Sequence, residues 1–256
     1  MSKTLKQVRA GRLVYAVVYT TPSASDPPKA RAQKQRASTA AREKLNARTS
    51  FQKLERTLAA NFDNGDLYLT LTYDDKHLPE DREAAIRRIR SFLSKLRKAR
   101  KTRGQLLHYI YVTEGCGPGG RLHHHVVLNG TGDDLEEIRR LWIYGDNIEV
   151  RRLAFDQDYT YEDLASYLTK EPREWGHPQV GERTWTPSLG LARPEPQTES
   201  VPDYVTLTAP PGAIAIQVEG PVRNGYGEYT WMKYMLPRQP GRKKPRAKRR
   251  RRRPKE

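Results

Sequence analysis

Apolar residues recur along this chain at two spacings. Residues 12–21, 67–73, 106–113, 122–128 and 148–153 are rich in apolar, aromatic and β-branched side chains, several in strict alternation, and predict strands. Residues 29–61, 83–101, 133–144 and 163–171 predict helices. Leu54, Leu58 and Phe62 keep helical spacing at the end of the first. Ile86, Ile89, Phe92, Leu93 and Leu96 share one face of the second, whose other face is basic. Leu135, Ile138, Leu141 and Trp142 mark the third, begun by Asp133 or Asp134, and Pro172 stops the fourth. Asn64-Gly65 is a turn, and residues 74–81 combine a turn with helix-start chemistry. Residues 173–197 are Pro-rich and irregular, while 204–208, 213–218 and 229–235 predict short strands of a small β extension. This order predicts an α+β fold.

The stretch that organises the rest runs from Glu114 to Leu128. Two strand-like runs flank residues 115–120, which are Gly or Pro except for Cys116, so they predict a β-hairpin. Successive strand side chains alternate faces, so His123 and His125 point one way and His124 the other. Glu114 ends the partner strand, and the turn brings its carboxylate beside the two imidazoles. A His, His, Glu set suits Mg2+, Mn2+ or Zn2+.

Composition narrows the function. The 256 residues carry a formal net charge of +17, with 36% hydrophobic residues, and the mean hydropathy is −0.87. Such an excess of cations fits a polyanionic partner, most simply nucleic acid. Cys116 is the single cysteine, which excludes an internal disulfide and suits a reducing cytoplasm. No apolar run approaches the ~18 residues of a membrane-spanning helix, and no signal peptide is read at the start. Residues 242–255 hold 11 Lys or Arg and no acid. A block of like charge without apolar residues is expected to be a disordered tail.

His123-x-His125 on a strand, with Glu114 nine residues upstream, resembles the metal site of HUH endonucleases, the rolling-circle replication initiators of phages and plasmids. The residue between the histidines is usually hydrophobic in that family and is His124 here. Other stretches extend the likeness over about residues 29–195. Leu71-Thr-Tyr-Asp74 with His77-Leu-Pro79, Tyr144-Gly145, and Thr184-Trp-Thr-Pro-Ser188 with Arg193-Pro194 are similar to phage-type and prophage-type initiators. Tyr167-Leu-Thr-Lys170 resembles their Tyr-x-x-Lys motif, and an i, i+3 spacing on a helix puts phenol and ammonium on one face. Asp163 stands where some phage initiators carry a second tyrosine, so the chain resembles the one-tyrosine type. Tyr159 and Tyr161 are neighbouring candidates.

The resemblance implies a central antiparallel β-sheet with flanking helices. It implies Mg2+ or Mn2+ held by His123, His125 and Glu114, Tyr167 as nucleophile, and Lys170 positioning the phosphate. Its substrate is single-stranded DNA at a replication origin in a bacterial cytoplasm, nicked through a 5′-phosphotyrosine, with a host helicase and polymerase as partners and no membrane. The segments expected are 1–60, an N-terminal strand and basic helix; 61–175, the endonuclease core; 176–236, a Pro-rich loop and small β extension; and 237–256, the tail. Three other readings stand beside this one: a non-catalytic nucleic-acid-binding protein, a structural zinc protein using Cys116, and another HUH enzyme, a relaxase or transposase. A lone Cys without a Cys-x-x-Cys partner is poor material for a closed zinc site.

Overall fold

The computed structural model describes residues 2–21, 39–115, 119–155, 160–170, 184–224 and 227–238. In chain order the elements are β1 (Ser2–Ala10), β2 (Leu13–Thr21), α1 (Thr39–Asn61), β3 (Leu67–Thr72), α2 (Arg82–Thr102), β4 (Tyr109–Glu114) and β5 (His123–Leu128). There follow α3 (Asp134–Leu141), β6 (Ile148–Arg152), α4 (Tyr161–Leu168), β7 (Thr186–Pro187), β8 (Pro196–Val201), β9 (Ile214–Asn224) and β10 (Gly227–Met235). The fold is α+β, and the elements fall into two compact units: Met1–Asn61 with Ala192–Pro240, and one built around Phe62–Leu191.

The second unit carries the site. Its sheet has the order β6-β3-β5-β4-β7, with every neighbour antiparallel. One face is apolar because alternate residues of its strands are apolar: Leu67, Leu69, Leu71, Tyr111, Val126 and Leu128. They pack with Ile89, Phe92, Leu93 and Leu96 of α2 and with Ile138 and Trp142 beside α3. The Asp81 carboxylate starts α2 by accepting from the Ala84 N–H at 2.6 Å.

At the other end of α2, the guanidinium of Arg100 is fully buried. It donates to Asp134 Oδ1 at 2.5 Å and to the carbonyl and side-chain oxygens of Asn129 at 2.8 and 2.9 Å. Asp134 also accepts from the N–H and hydroxyl of Thr131. Of the two aspartates expected to start α3, Asp133 occupies the cap position without a side-chain cap bond, and Asp134 is spent on Arg100.

The first unit is a second antiparallel sheet of order β8-β1-β2-β10-β9, with α1 packed against β1 and β2. Val14, Ala16, Met232 and Tyr234 form the core of one face. A buried Glu55 on α1 accepts from the Tyr15 hydroxyl and from Lys233 Nζ, the latter at 3.0 Å. Gly11 sits in the β1–β2 turn at φ +60°, where a Cβ would stand 2.2 Å from the Ala59 carbonyl oxygen.

Several expectations change here. β1 was not anticipated, since its Lys and Arg residues mask a strand whose ladder is completed by β2 on one side and β8 on the other. Residues 204–208 are not a strand but follow a turn closed by Val205 N–H to Pro202 O at 3.1 Å. The candidates at 213–218 and 229–235 are β9 and β10. They pair with the N-terminal strands rather than forming an extension of their own. Residues 29–38 of the first expected helix and the basic run 242–255 lie outside the described residues.

Candidate metal centre

Register places the cluster. Glu114, the last residue of β4, stands opposite His123 of β5, and Val112 stands opposite His125. Residues directly opposite on an antiparallel pair share a face, so Glu114, His123 and His125 face together. Gly115 makes the exit possible: its φ is +85°, and a Cβ there would lie 2.0 Å from the Arg121 carbonyl oxygen. Only glycine brings the two strand ends this close. Cys116 lies outside the described residues, as does the zinc reading built on it.

His124 points the other way, into the core, where it is fully buried. Its Nε2 is 2.6 Å from the Tyr73 hydroxyl, its Nδ1 is 2.9 Å from Thr113 Oγ1, and its ring meets the edge of Trp142. Burial pushes this imidazole down to about 3, and the nearby His123 and His125 add to the effect. His124 is therefore a neutral core side chain whose two nitrogens are both engaged by hydroxyls.

The other face is built differently. His123 Nε2 and His125 Nε2 are 3.2 Å apart; Glu114 Oε2 lies 3.3 Å from His125 Nε2 and 3.8 Å from His123 Nε2. One ligand atom from each residue lies within 4.8 Å of the others. A cation ~2.1 Å from each ligand atom separates its ligands by about 3.0 Å at octahedral corners and about 3.4 Å at tetrahedral ones. Two of the three edges have this length.

The hydrogen bonds agree with such an occupant. His123 Nδ1 is 2.9 Å from the Arg121 carbonyl oxygen, which only accepts, so the proton sits on Nδ1 and the Nε2 lone pair faces the cluster. Glu114 Oε1 is buried without a hydrogen-bond partner, a costly state that a cation relieves. Glu114, His123 and His125 can therefore hold a metal ion.

Tyr167 reaches the same place from α4. That helix starts with a capping box, the Thr160 hydroxyl accepting from Asp163 N–H and the Asp163 carboxylate accepting from Thr160 N–H. Leu164, Ala165 and Leu168 are buried. Tyr167 remains half exposed at 51%, with its ring edge-on to His125 at 5.2 Å and to Tyr68 at 6.1 Å. The helix ends earlier than expected. Thr169 leaves helical geometry, its N–H bonding back to Ser166 and Tyr167 and its hydroxyl to the Ala165 carbonyl. Lys170 follows that break and is exposed, so an uninterrupted helical face does not link it to Tyr167. Tyr161 is buried, stacked on Phe155 at 3.9 Å and donating to the Phe62 carbonyl, which makes it a packing residue. Tyr159 lies outside the described residues.

Two residues of the site were not singled out from the sequence. Tyr68 places its hydroxyl 2.5 Å from His125 Nδ1, and Thr70 places its own at 3.4 Å. The signal was present: Tyr68 and Thr70 sit two apart on β3, so they share a face, and Thr70 pairs with His125. Burial above all, and Tyr167 next, push the Tyr68 phenol above its ordinary range.

An antiparallel sheet with a His-x-His pair, a carboxylate and a tyrosine at one end of a face describes a nuclease-like metal centre. The sequence model of the family described as replication-associated protein ORF2, a rolling-circle Rep family, matches residues 66–172. The matched stretch runs from just before β3 to just past α4. It contains Glu114, His123, His125, Tyr167 and Lys170. This match bears out the resemblance drawn from the sequence. Neither a curated protein nor a solved structure matches the chain.

Proposed function

We propose that this protein initiates rolling-circle replication by nicking and rejoining single-stranded DNA at an origin, through a covalent link to Tyr167. The observation that carries this reading is the seat of Tyr167, whose phenol ring lies against His125 of the His, His, Glu cluster. A half-exposed tyrosine beside three converging metal-ligand side chains has the parts of an activated nucleophile.

Glu114, His123 and His125 would hold Mg2+ or Mn2+, which when bound supplies positive charge to the scissile phosphate as a Lewis acid. The Tyr167 oxygen forms a bond to phosphorus as the bond from phosphorus to the 3′-oxygen breaks. The phenol gives up its proton and the departing 3′-oxygen takes one, leaving a 5′-phosphotyrosine and a free 3′-OH. The 3′-OH primes a host polymerase while a host helicase opens the duplex. Attack of a 3′-OH on the phosphotyrosine reverses the exchange without ATP, because one phosphodiester has replaced another. Lys170 places its ammonium toward the phosphate after α4.

The net charge of +17 supports a DNA partner. So does a cavity of about 520 Å³ lined by Arg82, Arg87 and Arg90 with Thr113, Thr184 and Thr186, whose donors suit phosphate oxygens. No helix among the described residues is long and apolar enough to cross a membrane. The work belongs in a bacterial cytoplasm.

The test is adduct formation between the full-length protein and labelled single-stranded oligonucleotides, read on a denaturing gel. Tyr167→Phe, which keeps the ring, should bind DNA and form no adduct. EDTA should abolish the adduct, and Mn2+ or Mg2+ restore it. His123→Ala, His125→Ala and Glu114→Ala should each lower it more than His124→Ala does. An adduct at wild-type level from Tyr167→Phe would refute the nucleophile. DNA binding with no adduct under any condition would make this a binding protein.

A further inference from the structure

We propose that Tyr68 is a positioning residue that holds His125 in its ligand orientation and seats Tyr167 against it; this rests on the metal-dependent nicking reading above. Tyr68 lies on β3 two residues before Thr70, the cross-strand partner of His125. This diagonal offset keeps large side chains of adjacent strands in reach of each other. The Tyr68 and His125 rings stack at 5.6 Å with 18° between their planes, and the Tyr68 hydroxyl meets His125 Nδ1 at 2.5 Å.

Which imidazole nitrogen binds a metal is set by the hydrogen bond the other nitrogen makes. His125 Nε2 faces Glu114 and His123. Its Nδ1 therefore carries the proton and donates to the Tyr68 oxygen. The phenol suits this task because burial keeps it protonated and neutral, so it accepts without adding a charge. The stacked pair also forms a wall, since Tyr167 sets its ring edge-on to Tyr68 at 78° and to His125 at 71°. One side chain thus contacts a metal ligand through its hydroxyl and the nucleophile through its ring, and the two contacts can be removed separately.

Tyr68→Phe deletes the hydroxyl and keeps the ring; Tyr68→Leu deletes both. The first readout is Mn2+ affinity of the full-length, DNA-free protein, from the electron paramagnetic resonance signal of unbound Mn2+. Removing a hydrogen-bond partner of a ligating histidine typically weakens metal binding by about 10- to 100-fold, and both variants should show this loss. The second readout is the adduct rate as Mn2+ is raised. The Phe variant should recover the wild-type limiting rate once the metal saturates, because the seat for Tyr167 remains. The Leu variant should not recover, although circular dichroism shows it folded.

Wild-type Mn2+ affinity in Tyr68→Phe overturns the part played on His125. A wild-type limiting rate in Tyr68→Leu overturns the seating of Tyr167. A Leu variant that does not fold leaves the decision to the Phe variant, where a rate that saturating Mn2+ fails to restore also overturns the proposal. If the wild-type protein binds no Mn2+, or His125→Ala binds it equally well, the metal reading itself has failed and the proposal falls with it, whatever Tyr68 does.

Discussion

His124 should make the protein lose stability in mild acid, by an amount that follows from its burial. Its imidazole ordinarily titrates at 6.5 and is held down to about 3 in the fold, first by burial and then by His123 and His125. Below pH 6.5 the unfolded chain takes up a proton at this position while the folded chain does not. Stability from this group is thus fully present above 6.5 and is lost progressively as pH falls toward about 3. The loss is about 1.4 kcal/mol per pH unit, or about 2.7 kcal/mol between pH 6.5 and about pH 4.5. Against a total of roughly 5–15 kcal/mol for a folded domain, that is a substantial share. The assay is urea denaturation of wild-type protein and His124→Leu across this range, in chelator so that no metal contributes. Other groups titrate in both proteins, so the difference between them isolates His124. The variant should be less stable at neutral pH, because the Tyr73 and Thr113 hydroxyls lose their partner. The wild-type advantage should then shrink by about 2.7 kcal/mol on going to about pH 4.5. A difference that stays constant with pH would refute the reasoning and mean that the folded protein protonates His124 without penalty.

Two further predictions concern the frame and the tail. Asp134→Ala leaves the Arg100 guanidinium buried without its carboxylate and should cost about 3–5 kcal/mol in urea denaturation; an unchanged midpoint would mean that Asn129 alone suffices to hold the charge. Deleting the chain from Gly241 onward should weaken DNA binding to all sequences alike and flatten its salt dependence by about 0.7 in the log–log slope per lost phosphate contact on single strands. A slope equal to that of full-length protein would remove the tail from DNA binding, and a loss confined to origin DNA would make it a sequence reader.

Much of the site could be read along the chain because the information is local. The Gly-rich hairpin, the alternation that turns His124 away from His123 and His125, and the carboxylate at the end of the preceding strand all follow from a period of two and a turn. The helix 83–101 was equally legible, observed as Arg82–Thr102, since five apolar residues on one face specify it without reference to any partner. The helix bearing Tyr167 was placed correctly in sequence but ends at Leu168. Thr169 settles that locally through its back-bonds, and sequence spacing alone carried the expected helix past it.

Other features depend on residues far apart in sequence. That β2 pairs with β10, with Tyr15 opposite Lys233, comes from a ladder between segments over 200 residues apart, and no spacing rule reports such a pairing. The basic strand β1 has weak β propensity, and its place follows from the two neighbours that complete its backbone hydrogen bonds. The same holds at the metal centre. Sequence alternation determined which histidines face together, because side-chain direction in a strand is a property of the single chain. Tertiary structure alone decided that Tyr68 and Thr70 meet His125, that Tyr167 rests on both rings, and that Glu114 keeps a buried oxygen aimed at the cluster. Those contacts join β3, β4, β5 and α4, and the chain acquires them only when the sheet's register and the packing of the helix bring the four elements together.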